Sequence, residues 1–420
     1  TNIYCFAGQE FTLLTLSFYY FLITISFLTN ISHRIILSGV EFKSLIGGCI
    51  MDTFMTDLLT SFAVIINGIP QGLLALSFGF AAFPTSIAFI IGAAGSLAFN
   101  SVATISFQAE TITLAGKMGR DIKERLTIVF WGALFLFVPS VMGLNETIVA
   151  FIGPTIVNSM MAGVGIMLAY VAIELFGSEK VSGTVSMITG IAVWFITLDL
   201  AKTIIISVLV STIVYNILIK TGKVEPHSLV MDMSREKFTL GNIEWKIWEN
   251  PMLIVHALAL ACLNIGANIS FGKITGSIAG VDSNIDHLAI YSSLADMGSS
   301  FFGGGPVEAI ISGTATAPNP IRSSVMMMLI MAAILLFKLL PTIGKYVHSA
   351  SIAGFLFVLG TFVTFATNIQ GAIASVPAAN GPFGFSPWGM VIGATVLVSA
   401  KWNPFFGLLA GVLIKIIFSL

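Results

Sequence analysis

The sequence predicts an all-α polytopic membrane protein built from two related halves, and three observations carry that expectation. Of its 420 residues 56% are hydrophobic and only 9% charged, with a mean hydropathy of +0.97, far outside the composition of soluble domains. Apolar runs long enough to span a bilayer recur along the chain, each broken by glycine, proline or a short polar stretch. One substantial polar segment, KTGKVEPHSLVMDMSREKFTLGNIEWKIWEN from Lys220, divides the apolar chain into halves of about equal length, the pattern of an internal repeat.

At roughly 20 apolar residues per span, the chain has room for about 12 to 14 crossings, some of them broken. Residues 1–50 stand apart. Phe11 to Ile31 is apolar enough to cross a bilayer, yet the chain opens on Thr1 and lacks the basic flank and small-residue cleavage site of a signal peptide. Two readings stay open there: an over-extended start, with translation beginning at Met51 or Met55, or an extra N-terminal helix. A first transmembrane repeat is expected over 51–219, with spans at 58–80, 84–100, 126–143, 147–176, 182–199 and 201–219. The polar linker occupies 220–249. A second repeat over 250–420 carries spans at 250–276, 284–302, 323–340, 348–368 and 386–420, the long ones bent or double.

The most informative stretch is SSLADMGSSFFGGGPVEAIISGTATAPNP, Ser292 to Pro320. Gly303, Gly304, Gly305 and Pro306, then a short β-prone run with Glu308, then two more prolines, do not make an ordinary spanning helix. Irregular backbone at membrane depth survives only where protein or a water-filled cavity satisfies its polar groups, and a carboxylate there points to function. The first half holds a counterpart, SVATISFQAETIT around Glu110. Each half also has a Pro-Thr-Ile followed by a small pair, Ala162-Gly163 or Ala353-Gly354, opening an apolar helix. Paired interrupted segments point to a transporter binding site near the bilayer midplane, where helix N-termini offer N–H groups and positive dipole ends to a polar substrate.

Four stretches resemble the xanthine/uracil permease family of nucleobase transporters: NIGANISFGKITGSIAG (Asn264 to Gly280), FFGGGPVEAIISGTA (Phe301 to Ala315), TISFQAETITL (Thr104 to Leu114) and AFIGPTIVNSMMAGVGIMLA (Ala150 to Ala169). The resemblance implies an inverted seven-plus-seven repeat with two short strands and two half-helices, arranged as core and gate domains. It implies a nucleobase held between those elements, acidic residues on the eighth and tenth helices that read the base and couple it to protons, and a homodimer. The chain departs from the uracil-permease pattern. Leu263 precedes Asn264-Ile265-Gly266 where those permeases carry a glutamate before His-Ile-Gly, and Glu308 lies a turn before the usual tenth-helix glutamate, which falls near Ile311 or Ser312. Secondary transport of a purine such as guanine, hypoxanthine or xanthine is therefore expected over uracil. An anion or carboxylate transporter on the same fold is the alternative.

The residues suit such chemistry in their own right. Amides and carboxylates read the alternating donors and acceptors of a flat base bidentately. Glu308 is the first candidate for substrate or proton binding, with Glu110 its counterpart; Asn264 and Asn268, spaced i,i+4, share a helix face. Asp296, Gln108, Ser106, Ser312 and Thr314 complete the set. Plainer readings stand beside these: Asn264 bonding a neighbouring helix, Glu110 tying two domains together, Asp296 capping a helix. Burial favours the neutral form of a carboxyl group, which suits protons as the coupling ion. His256, His287 and His348 are separated and Cys5, Cys49 and Cys262 isolated, so neither a metal nor a cofactor is expected. A net charge of -1 leaves no footprint for nucleic acid. No nucleophile–base pair or nucleotide-binding loop marks an enzyme. The expected partners are a small-molecule nucleobase and the lipid bilayer of the cell membrane.

Overall fold

The computed structural model describes residues 48–227, 229, 233–376 and 387–418. The readings of residues 1–47 lie outside the described residues. Residues 56–420 form one compact unit, and 48–55 are the opening turns of its first helix. Seven described helices are long and apolar enough to cross a membrane, as expected of a multi-pass membrane protein.

The first half opens with α1 (Gly48–Ser77), which stops ahead of Gly79 at φ 82°, and α2 (Ala82–Ala98). A short strand, β1 (Thr104–Ser106), leads into the half-helix α3 (Ala109–Met118). The Asp121 carboxylate then accepts the Glu124 N–H to start α4 (Ile122–Val141). The apolar run at 147–176 is two helices, α5 (Asn145–Ile152) and α6 (Pro154–Ser178). Gly153 at φ 92° makes the corner in a conformation that side chains resist, and Pro154 sits at the first helical position, where its missing N–H costs nothing. α7 (Lys180–Thr197) and α8 (Leu200–Lys220) close this half.

In the second half, α9 (Pro251–Ala267) passes through a π-helical stretch, Asn268–Gly272, into α10 (Lys273–Ala279). α11 (Ile285–Phe301), β2 (Glu308–Ile310), α12 (Pro320–Leu336) and α13 (Leu339–Gly344) follow. The run at 348–368 begins as a 3-10 turn and becomes α14 (Ala353–Val358), a π-helical stretch Leu359–Phe365 and α15 (Ala366–Ala374). The last run is also double: α16 (Trp388–Lys401) and α17 (Pro404–Ile417), parted at Asn403, whose side chain accepts the Phe406 N–H.

One expectation is corrected. Two half-helices were expected after the two strands, but among the described residues β2 is followed only by a 3-10 turn, Gly313–Thr316. Pro318 and Pro320 explain the difference: a residue before proline is pushed out of the α region, so too little chain remains for an α-helix before α12 begins. The helices pack as two groups. α12 and α11 lie against α2, and α9 and α11 against α4, forming a core that holds the strands. α6 packs on α15, α16 and the Leu359–Phe365 stretch, while α7 packs on α8 and α14, forming a gate.

The polar linker is fastened to both groups. On the gate side the Tyr215 hydroxyl donates to the His227 carbonyl and accepts its N–H, at 2.8 and 2.7 Å. On the core side Glu236 supplies the cap that α2 lacks locally, its two oxygens accepting the N–H groups of Ala82 and Phe83 at 3.2 and 2.7 Å. Further along, the Glu244 N–H donates to Thr127 and its carboxylate meets Lys123 at 2.7 Å. Burial pushes the Glu236 carboxyl above its ordinary value, while the N–H groups of Phe83 and Ala82 and the Lys338 ammonium pull the other way. A raised folded value means that this group's contribution to stability is full below the unfolded 4.5 and is lost as pH rises through the folded value. Glu236→Gln should remove that pH dependence in thermal melts of wild type against variant, while costing about 1 kcal/mol of capping.

Candidate functional site

The two strands pair antiparallel, with Thr104 opposite Ile310, Ile105 opposite Ala309 and Ser106 opposite Glu308. Side chains of the flanking helices satisfy the irregular backbone before β2. Thr85 accepts the Gly305 N–H at 2.8 Å, Ser299 donates to the Gly305 carbonyl at 2.6 Å, and one Asp296 oxygen accepts the Val307 N–H at 2.7 Å. Gly304 is required by close approach, since a Cβ there would lie 2.6 Å from the Thr85 nitrogen. Asp296 and Tyr291, which bond the chain on either side of the strands, sit about 7 and 15 Å along α11 from its C-terminal end. The strands therefore lie at mid-depth.

Glu308 is wholly buried. Its Oε1 accepts the N–H of Ala309 at 2.9 Å, and its Oε2 makes no close hydrogen bond with the described residues. Asn268 and Ser292 face its carboxylate, and Asp296 lies within its electrostatic reach. Among the described residues both side-chain polar atoms of Asn268 lack a close hydrogen-bond partner, as do the second oxygen of Asp296, Ser293 Oγ, Ser106 Oγ and Gln108 Nε2. Asn268 opens the π-helical stretch, a widening of the helix that recurs at functional sites. No described ion pair involves Glu308 or Asp296. A buried polar atom left without a partner costs about 1–3 kcal/mol, so this many on neighbouring elements mark a place built for a polar ligand.

The remaining candidates are engaged elsewhere. Glu110, in the first turn of α3, accepts a 3.0 Å hydrogen bond from Thr364 in the gate's π-helical stretch. Gln71 accepts the Ala109 N–H at 3.0 Å, so the α3 N-terminus already faces a carboxylate and an amide oxygen. Asn264 Oδ1 lies 3.3 Å from Thr111 on α3, and Gln108 Oε1 also accepts from Thr111, at 2.5 Å. Ser312 and Thr314 belong to a chain of hydroxyls running through Thr104 to Ser324, each step 2.7–2.9 Å. The structure thus gathers Glu308, Asn268 and Asp296, and ties Glu110, Asn264, Ser312 and Thr314 to neighbouring elements. It adds Ser292, which sequence reasoning missed. The signal was the run of small hydroxyl and acidic residues at 292, 296, 299 and 300, three or four apart on one face of α11.

No protein-family profile matches the chain, and no curated protein matches it by sequence. Solved structures do match. The transmembrane domain of a cyanobacterium bicarbonate transporter, BicA, superimposes with a TM-score of 0.64 at 13% identity over 85% of this chain and 97% of that one. SLC26A9 gives 0.66 at 15% identity over 88% of this chain and 66% of that one. The murine Slc26a9 anion transporter in its inward-facing state gives 0.61 at 14% identity over 92% and 70%. The chain has the seven-plus-seven inverted-repeat fold that these anion transporters share with nucleobase permeases.

Proposed function

We propose that this chain is a secondary transporter that carries a small anion together with protons, by alternating access of the site between α3, β1, β2, α9 and α11. The observation that carries the reading is the mid-depth cluster of buried unpaired groups around Glu308, Asn268 and Asp296. The amide of Asn268, the hydroxyls of Ser106 and Ser293 and the Nε2 of Gln108 are donors that suit an anion. With Glu308 and Asp296 carrying protons when the anion arrives, the loaded site holds no unpaired negative pair, and charge and proton cross together. The solved neighbours, named as bicarbonate and anion transporters, support an anion better than the nucleobase expected from the sequence. A nucleobase is the second reading, favoured by one observation: Asn268 beside Glu308 sets an amide donor next to a carboxylate acceptor, a pairing that reads a purine or pyrimidine edge.

The test is uptake by purified protein in liposomes under an imposed pH gradient, with radiolabelled bicarbonate, sulfate and small carboxylates against purines and uracil. Saturable, gradient-driven accumulation of an anion is expected. Accumulation of a base alone transfers the site to the second reading, and gradient-insensitive flux of every solute removes proton coupling.

A further inference from the structure

A second polar feature lies away from the acid pair. Residues 99–102 and 281–284, with His287 and Ile321, line a cavity of about 230 Å³ between the end of α2 and the start of α11, and exposed Val281, Asp282 and Asn284 open it to solvent. This is the face opposite the linker, because α2 begins at Glu236 and is 17 residues, or about 25 Å, long. Its inner wall leads toward Glu308. Phe99 stacks on His287 with ring centres 4.5 Å apart and on Tyr291, a turn deeper, at 6.4 Å. Ser101, in the cavity wall, lies 3.3 Å from the Tyr291 hydroxyl, which donates to the Ala103 carbonyl at 2.7 Å. Tyr291 is fully buried within electrostatic reach of Glu308, and Ser292 beside it faces that carboxylate.

We propose that this cavity is the aqueous route by which protons reach Glu308, with Tyr291 the positioning residue that closes its inner end. The proposal rests on the proton coupling inferred above. Few other charged groups surround the route. Asp282 stands on the rim and His287 in the wall; Asp286 accepts the Asn145 N–H at 3.2 Å; Arg322, next to Ile321, bonds Asp57 at 2.6 Å; and Asp296 lies beyond Glu308. Lys123, Arg125 and Lys338 gather on the linker face, where they meet Glu244, the Phe78 carbonyl and the Phe83 ring, and Lys220 ends α8 where the linker begins. The positive-inside rule makes that face cytoplasmic and the cavity external. A proton arriving in cavity water moves by exchange: each water or hydroxyl on the way takes one proton and releases another, and the Glu308 carboxylate accepts the last. The serine and the phenol end as they began.

The test uses the full chain in liposomes, reading pH-gradient-driven accumulation beside substrate exchange at equal pH on both sides. Tyr291→Phe should retain exchange while gradient-driven accumulation falls about 10-fold, the equivalent of one pH unit of driving force. Val281→Trp, on the exposed rim, should act in the same direction by filling the mouth without touching Tyr291. Wild-type pH dependence in both variants overturns the proposal. Exchange without gradient-driven accumulation in the wild type overturns the proton-coupling reading and this route with it, and so separates the two failures.

Discussion

Glu308→Gln should lower uptake by about two orders of magnitude while the protein still reaches the membrane in normal amount, the scale of removing one partner from a buried polar contact, about 2–5 kcal/mol. The glutamine keeps the shape and one acceptor but loses the group that takes and gives up a proton. Among the described residues Glu308 has no ion-pair partner and its closest hydrogen bond comes from the backbone of its own neighbour Ala309, so little of the fold depends on its charge, and the loss should fall on transport and not on folding. Substrate-protected thermal melting separates the roles. If the variant still binds substrate with wild-type affinity but no longer responds to pH, the residue serves the proton; if binding is lost, it serves the substrate. Wild-type, pH-dependent uptake would remove Glu308 from the site.

Gly165→Val should have the largest effect on stability. A Cβ at Gly165 would lie 2.6 Å from both the Gly360 carbonyl oxygen and the Phe365 nitrogen, and one at Gly360 would lie 2.7 Å from the Gly165 oxygen. Two backbones meet there with no side chain to give way. Overpacking of that kind costs about 3 kcal/mol at the upper end of its usual range. The stretch that would have to move carries Thr364, the partner of Glu110, so the core and gate should lose register together. A fall in melting temperature and a broadened transition in detergent check this. Gly177→Val on the same helix is the control: no described residue lies within 4 Å of its would-be Cβ, and its melt should match wild type.

Much of the architecture was legible because membrane spans announce themselves through apolar length and breakers. The long runs 147–176 and 386–420 were expected to be bent or double and are helix pairs parted at Gly153 and at Asn403, corners visible only in the structure, while Gly303 to Pro306 read as a break beside Glu308. The second half-helix was implied only by the family resemblance, and Pro318 and Pro320 are the local chemistry that leaves a 3-10 turn in its place. The site was legible only as residue types. Asn264 and Asn268 share the spacing of one helix face, yet one meets Thr111 and the other faces Glu308, a distinction made by the helices packed beside α9. Thr364 is distant in sequence and lies in a π-helical stretch that no local pattern marks, so its bond to Glu110 emerges only in three dimensions.

The double fastening of the linker has a mechanical consequence. His227 and Leu229 are held by the gate, the Leu229 N–H donating to the Val347 carbonyl at 3.2 Å, and Glu236 by the core, and six residues, 230–235, join the last two anchors. A chain of that length reaches at most about 3.3–3.6 Å per residue, close to 25 Å from Leu229 to Glu236. Under the alternating access proposed above, the two anchors can never stand further apart than that span, so the sequence length between them sets an upper bound on how far the two groups of helices slide past one another.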